Sequence, residues 1–370
     1  MKYYIIAGEA SGDLHASNMM KALKVADKNA EFRFWGGDLM QSVGGTLVKH
    51  YKELSFMGFL EVLKNLPTIF GNVKFCKEDI AAYQPDVLIF IDYSGFNLRI
   101  AKWAKEKGFK TNYYISPQVW ASRAKRVLDI KRDINHMYVI LPFEKEFYKK
   151  YDYDVHFVGH PLIDAIANRK IVEEAAFRKQ YKLSEKPIVA LLPGSRKQEI
   201  TKMLTVMLSL VAEFKDYQFV IAGAPSQDFA FYQTFIQDQN ISFVNNQTYD
   251  LLSISTAALV TSGTATLETA LFKVPQVVCY KGSAISYQIA KRIITLKFIS
   301  LVNLIMDKEV VKELIQNDFT KENLKTELTK ILDSDNQKAM LSTYKELEQK
   351  LGGAGASSKV AKLILKNNQA

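Results

Sequence analysis

Ten short apolar runs, most separated by helical lengths of chain, leave this sequence few folds to choose from. The runs are Tyr3–Ala7, Glu31–Trp35, Val87–Ile91, Thr111–Ile115 and Met137–Leu141, then Ile188–Leu192, Gln218–Ala222, Ile241–Val244, Ala258–Thr261 and Gln276–Cys279. Val87–Ile91 and Ile188–Leu192 are apolar throughout, without the alternation of a half-solvated sheet. Strands of that kind, spaced by helices, predict parallel sheets covered on both faces. Gly159 and Pro161 break the series, which then resumes at Ile188. The expectation is α/β: two doubly wound, Rossmann-like domains facing across a cleft. The first is 1–160, the second 161–344, with a helix near 345–370 returning to the first. Ligands in such sheets bind beyond the carboxyl ends of the strands.

The segment Thr261-Ser262-Gly263-Thr264-Ala265-Thr266-Leu267-Glu268 lies at such an end. A buried strand, a turn of small residues and a helix aim free backbone N–H groups at whatever sits above the turn. No acidic or amide side chain stands where a capping box would fill those donors. They suit a phosphate, and Glu268, one turn further in, can accept from ribose hydroxyls. Phosphate plus ribose points to a nucleotide.

Net charge is +10, from 49 Lys+Arg against 39 Asp+Glu, which favours anionic partners. The charge is dispersed and no stacking motif recurs, which argues against nucleic acid. Cys76 and Cys279 cannot form a disulfide framework, and the compartment expected is a reducing cytosol. His15, His50, His136, His156 and His160 show no metal spacing, so neither metal nor cofactor is expected. No apolar run approaches the roughly 20 residues that span a bilayer.

Other strand ends carry candidate chemistry. Gly8-Glu9-Ala10-Ser11-Gly12-Asp13 lacks dinucleotide glycine spacing, and its plain reading is a turn with Ser11 or Asp13 capping a helix. Glu9 is an odd capping choice and is a cleft candidate. Pro193-Gly194-Ser195-Arg196-Lys197-Gln198 admits a capping box from Ser195 and Gln198. That box leaves Arg196 unexplained, and a guanidinium suits a diphosphate. At Ile91-Asp92-Tyr93-Ser94-Gly95-Phe96-Asn97 the plain reading is a cap from Asp92. Ser94 can serve instead, leaving Asp92 free as a base. Arg123 and Arg126 follow the strand end at Ser116 and could hold a substrate phosphate. Phe56–Phe70 is more apolar than a helix over one sheet requires, and is either core or an entrance for acyl chains.

The chain resembles the lipid-A-disaccharide synthases, inverting glycosyltransferases of the GT-B type. The resemblance runs through Ala7-Gly8-Glu9-Ala10-Ser11-Gly12-Asp13, Met57-Gly58-Phe59, Glu61-Val62-Leu63, Ser116-Pro117-Gln118-Val119-Trp120-Ala121 and Leu141-Pro142-Phe143-Glu144. In the second half it takes in Pro193–Arg196, Thr261–Glu268, Ser300-Leu301-Val302-Asn303 and Glu313-Leu314-Ile315-Gln316. It implies transfer of a diacylglucosamine from UDP to a diacylglucosamine 1-phosphate, giving the β-1,6 disaccharide of lipid A and UDP, without a metal. On this view Ser195, Arg196, Gly263, Thr264, Ala265, Thr266, Glu268, Asn303 and Gln316 contact UDP. Ser11, Met57, Phe59, Asn97, Gln118, Trp120 and Arg123 face the acceptor and its lipid.

One departure bears on catalysis. Many members carry an Asp where this chain has Gly95, so the base is expected at Asp92 or Glu9. Alternatives are a related GT-B enzyme such as a UDP-sugar 2-epimerase, or a non-catalytic nucleotide- or lipid-binding protein. Acylated substrates place the enzyme in the cytoplasm, peripheral on the anionic inner membrane. Phe56–Phe70 and Lys291, Arg292 and Lys297, beside Ile289, Ile293, Ile294 and Phe298, are the expected contacts. A homodimer is left open.

Overall fold

A computed structural model describes residues 1–54, 66–236, 241–282 and 297–369. The chain divides into a unit of Met1–Asn168 with Leu351–Ala370, and a unit of Arg169–Lys350.

In the first unit, β1 (Lys2–Ala7), β2 (Glu31–Gly36), β3 (Thr46–His50), β4 (Val87–Ile91), β5 (Thr111–Tyr114), β6 (His136–Val139) and β7 (His156–Phe157) lie in the order 3-2-1-4-5-6-7. In the second, β8 (Ile188–Leu192), β9 (Gln218–Gly223), β10 (Ile241–Asn245), β11 (Ala257–Thr261), β12 (Gln276–Tyr280) and β13 (Lys312–Ile315) lie in the order 10-9-8-11-12-13. Every pairing is parallel.

The apolar strands are covered on both faces. Tyr4 and Ile6 of β1 pack with Leu88 and Phe90 in one core cluster, and Tyr3 and Ile5 with Ile89 and Ile91 in another. In β8, Val189 and Leu191 go to one side, Ile188, Ala190 and Leu192 to the other. In both sheets the winding reverses beside the first strand: between β1 and β4, and between β8 and β11. Loops leaving two such neighbours run to opposite faces and leave a crevice at the carboxyl edge.

Three strands escaped the sequence reading. β3, β7 and β13 lie at sheet edges and are short, and none is fully buried. β3 and β13 therefore mix charge with apolar residues, and β7 is only His156-Phe157.

The C-terminal helix Ala356–Asn368 belongs to the first unit. Val360, Ala361 and Ile364 share a core cluster with Ala16, Met19, Met20 and Leu23 of the helix Ala10–Ala26. Both of its ends are tied. The Asp164 carboxylate accepts from Gly355 N–H at 2.6 Å and Ser357 N–H at 2.8 Å. At the other end the amides of Asn112 and Asn368, both buried, bond reciprocally at 3.2 and 3.1 Å. Nearby, His160 N–H donates to Leu351 O at 2.9 Å, and its Nδ1 accepts from Leu162 N–H at 3.2 Å. Among the described residues no helix is long and apolar enough to cross a membrane.

Burial holds two histidines of this unit neutral. It lowers His160 to about 3, helped by His15, and lowers His15 to about 4 against the opposing charge of Asp164. A folded-state pKa below the unfolded value gives stability that is complete above pH 6.5 and is lost as pH falls toward the folded pKa. The unfolding free energy from urea titrations is expected to fall from pH 6.5 to pH 4, by up to about 1.4 kcal/mol per pH unit for each histidine. His160→Asn should flatten that slope, and an unchanged slope would contradict the assignment.

Candidate functional site

The first reversal brings together Glu9, at the end of β1, and Asp92, at the end of β4. Glu9 is exposed and stands at the N-cap of the Ala10 helix without a side-chain cap bond. Asp13 does not cap that helix. Its carboxylate reaches across to Gly37, Leu39 and Met40 N–H at 2.8, 3.1 and 3.0 Å, holding the loop after β2.

Asp92 and Tyr93 have φ of 44° and 46°, consecutive non-glycine residues in the left-handed region. Such conformations cost about 1–3 kcal/mol each and persist only where the surroundings impose them. Here Asn97 Nδ2 and the Tyr113 hydroxyl both donate to Asp92 O, the former at 2.9 Å. Gly8 makes room for the Tyr93 ring, since a Cβ on Gly8 would fall 2.3 Å from it. Tyr93, not Asp92 or Ser94, occupies the N-cap of the helix Ser94–Glu106, and no side chain caps it. The Asp92 carboxyl is thus spared that duty. Burial, and then the charge of Glu9, push it up to about 6.

Gly95 is exposed, and a Cβ there would meet nothing within 4 Å, so a larger side chain fits. Asn97 is fully buried and spends its amide on the ends of β1 and β4, donating to Ile6 O and Ile91 O as well as Asp92 O. It supports the turn through its NH₂ group, while its buried Oδ1 has no hydrogen-bond partner among the described residues. Ser11, Gln118 and Arg123 are exposed, and Trp120 is half-buried with its ring edge-on to Phe143. Met57 and Phe59 lie outside the described residues.

Glu144 was not singled out from the sequence as a functional group. It is 1% exposed, and its carboxylate accepts from the Ser116 hydroxyl, Leu141 N–H at 2.8 Å and Ile140 N–H at 3.1 Å. Burial pushes it up to about 7 against those bonds. It ties the Ser116–Gln118 loop to the turn after β6.

The second reversal, between β8 and β11, holds a cavity of about 270 Å³ lined by Gly194, Ser195, Glu199, Ser262, Gly263, Thr264, Ala265 and Glu268, among others. Two helices begin at it, Lys197–Leu208 and Thr264–Leu271. Their N-caps, Arg196 and Gly263, make no side-chain cap bond. The box expected from Ser195 and Gln198 is absent, because the helix starts one residue later than that pattern needs. Instead Glu199 reaches back to accept from Ser195 N–H at 3.3 Å. Gly194 has φ +100°, and a Cβ on it would fall 2.3 Å from the Glu199 carboxylate. Arg196 is exposed, stands beside Ser195, and does not line the cavity. No hydrogen bond or ion pair engages its side chain among the described residues.

Glu268 lies between this cavity and a second, of about 490 Å³, lined by Arg169, Lys170, Asn246, Gln247, Thr248, Tyr249, Asp250 and Glu268. Its Oε1 accepts from the Tyr249 hydroxyl at 2.9 Å. Burial raises its pKa and that bond opposes the rise. Thr266 is buried and turned inward, its hydroxyl donating to Gly263 O at 2.8 Å.

Asn303 is fully buried and fully engaged. It donates to Val311 O and Glu313, and accepts from Val310 and Val311 N–H. These bonds lock the start of the helix Leu301–Met306. Gln316, at φ 56°, keeps a buried side-chain NH₂ without a partner among the described residues. No cluster of three metal-ligating side chains occurs among the described residues.

Comparison with known proteins agrees with this architecture. The LpxB family model, described as Lipid-A-disaccharide synthetase, matches residues 3–366. A lipid-A-disaccharide synthase of Syntrophus aciditrophicus is 38% identical, covering 98% of this chain and 96% of its own. Among solved structures, a putative UDP-N-acetylglucosamine 2-epimerase from Listeria monocytogenes superposes with a TM-score of 0.69 at 12% identity, covering 100% of this chain and 96% of its own. A UDP-GlcNAc 2-epimerase from Neisseria meningitidis, bound to UDP-GlcNAc, gives 0.67 at 13%, covering 99% and 100%. At such identities these two show the fold alone, which is of the GT-B type. A match along nearly the whole chain, with relatives at this identity, means that the chain belongs to the lipid-A-disaccharide synthase family of glycosyltransferases.

Proposed function

We propose that the protein transfers a 2,3-diacylglucosamine from UDP to the 6-hydroxyl of 2,3-diacylglucosamine 1-phosphate, releasing UDP. The observation that carries this reading is the pair of uncapped helix starts around one cavity beside Glu268. Free N–H groups and two helix dipoles suit a diphosphate. Glu268 then meets the ribose, and the adjoining cavity takes the uracil. Arg196, exposed and with no side-chain partner among the described residues, closes on the diphosphate from the rim. UDP leaves more readily when its growing negative charge meets fixed donors. Asp92 removes the proton from the acceptor hydroxyl, and the neighbouring Glu9 tunes it. A base poised at about 6 is ionised at neutral pH yet still basic enough for proton transfer. UDP release from the diacyl donor, dependent on the diacyl acceptor, is the direct test. An epimerase would consume a UDP-sugar without releasing UDP, and a binding protein would do neither.

The same reading places the protein on an anionic membrane face, because both sugars are acylated. Phe70 is 60% exposed on the helix Leu66–Tyr83, with Arg99 over its ring at 5.8 Å, and Lys77 stands over Trp103 at 5.8 Å. Apolar tips flanked by cations suit an anionic lipid surface.

Three results are expected. Asp92→Asn should cut turnover by roughly 10²–10⁴ with UDP affinity kept, and kcat/KM of the native enzyme should fall as pH drops below about 6. Glu9→Gln should move that acid limb to lower pH. A collapse of turnover in Glu9→Gln alone, with Asp92→Asn active, would make Glu9 the base. In calorimetry Arg196→Ala should weaken UDP binding by roughly 1.5–3 kcal/mol per charge-assisted bond lost. Glu268→Ala should weaken UDP but not pyrophosphate, and unchanged UDP affinity in both variants would remove the proposed site. Sedimentation with anionic vesicles should fall with added salt and with Phe70→Ser. Binding indifferent to both would exclude this contact.

A further inference from the structure

The cavity between the two helix starts contains a contradiction. Its backbone donors suit an anion, yet a carboxylate already lies in it. Glu199 lines the cavity from the first turn of the Lys197 helix and takes Ser195 N–H at 3.3 Å. No cation pairs with it among the described residues. Arg196, three residues before it, is exposed and outside the cavity lining, and the Lys197 ammonium is turned away over the Phe231 ring at 5.6 Å. Lys202 is committed to Gly282 O at 3.2 Å. The other charged group lining the cavity, Glu268, has the same sign and is bonded to Tyr249.

Two features show that the chain is shaped around this carboxylate. Gly194 leaves the space the carboxylate fills, since a Cβ there would lie 2.3 Å from Glu199 Oε2 and 2.7 Å from Cδ. The loop that presents Ser195 N–H is pinned from behind as well: Ser195 O accepts from the Ser226 hydroxyl at 3.0 Å and from Gln227 Nε2 at 3.1 Å. The donor therefore keeps its direction whether or not Glu199 occupies it. At 3.3 Å the contact is long for a charge-assisted bond, whose usual length is about 2.7–2.9 Å, so an entering phosphate oxygen exchanges with it at small cost.

We propose that Glu199 is a built-in stand-in for the substrate phosphate: it occupies the anion site while the enzyme is empty, is displaced by the diphosphate, and by its charge favours UDP-sugar over free UDP. This rests on the placement of UDP in that cavity. Free UDP carries more negative charge at neutral pH than a UDP-sugar, whose terminal phosphate is esterified. A fixed negative charge beside the terminal phosphate therefore penalises the product more than the donor. Glu199 is a specificity-determining residue in this account and takes no part in the chemical step.

The test is calorimetry of UDP, pyrophosphate, uridine and a UDP-sugar on the native enzyme and on Glu199→Gln. Glutamine keeps an oxygen for Ser195 N–H and removes the charge. UDP and pyrophosphate should bind about tenfold tighter to the variant, the UDP-sugar by about threefold or less, and uridine equally. Product inhibition by UDP should strengthen in parallel. Unchanged or weaker UDP binding by a normally melting variant would overturn the proposal and leave Glu199 a clamp for the Gly194 loop. Equal tightening of UDP and the UDP-sugar would overturn the claim of discrimination. Failure of the native enzyme to bind UDP at all would instead overturn the placement of the nucleotide.

Discussion

Both sheets are wholly parallel, and each reverses its winding once beside its first strand. That constraint decides where chemistry can occur. A parallel sheet buried on both faces sends every strand's carboxyl end, and the helix start that follows it, to one edge. Elsewhere on that edge successive loops pack against one another. At the reversal they part, and backbone donors that would otherwise be covered stay accessible. Glu9 and Asp92 stand at the reversal of one sheet, and Ser195 and Gly263 at that of the other. Nothing else in the molecule needs to be unusual for these positions to host a ligand.

The two edges are built for opposite electrostatic tasks. At the end of β4 the backbone is forced through two left-handed residues, and its carbonyl is held by Asn97 and Tyr113. The strain turns a carboxylate out of the capping role it would otherwise take, and incomplete hydration keeps its proton affinity high. At the ends of β8 and β11 the side chains are small and the backbone itself supplies the polarity. On the proposed function, the first kind of edge suits a group that accepts a proton and the second a group that receives negative charge.

The central strands were legible because complete burial leaves an unbroken apolar signature. The edge strands β3, β7 and β13 were not, since they are short or largely uncovered, whereas the edge strand β10 kept enough apolar residues to be read. At the candidate sites the sequence located the loops but not the duties within them. Asn97 and Asn303 stand in motifs shared with the family, and the NH₂ group of each donates to nearby backbone. An Asn that braces a turn and one that grips a ligand look alike in sequence. Glu144 and Glu199 went unassigned for the complementary reason. Their significance comes from Ser116, twenty-eight residues upstream of Glu144, and from the space above Gly194. Asp13 looked like a local cap and proved to hold a loop twenty-four residues away.

The first unit is discontinuous: the helix Ala356–Asn368 that completes it is made only after the whole of the second unit. During synthesis the Ala10 helix therefore emerges with Ala16, Met19, Met20 and Leu23 lacking part of their eventual cover. The second unit, Arg169–Lys350, is one uninterrupted stretch and can finish folding as it leaves the ribosome. At roughly 5–20 residues per second, the interval between release of Asn168 and arrival of Leu351 lasts roughly 10–40 s. Throughout that interval the nascent chain carries an open apolar stripe of the kind that chaperones hold. The first unit is thus completed only after the second has been made.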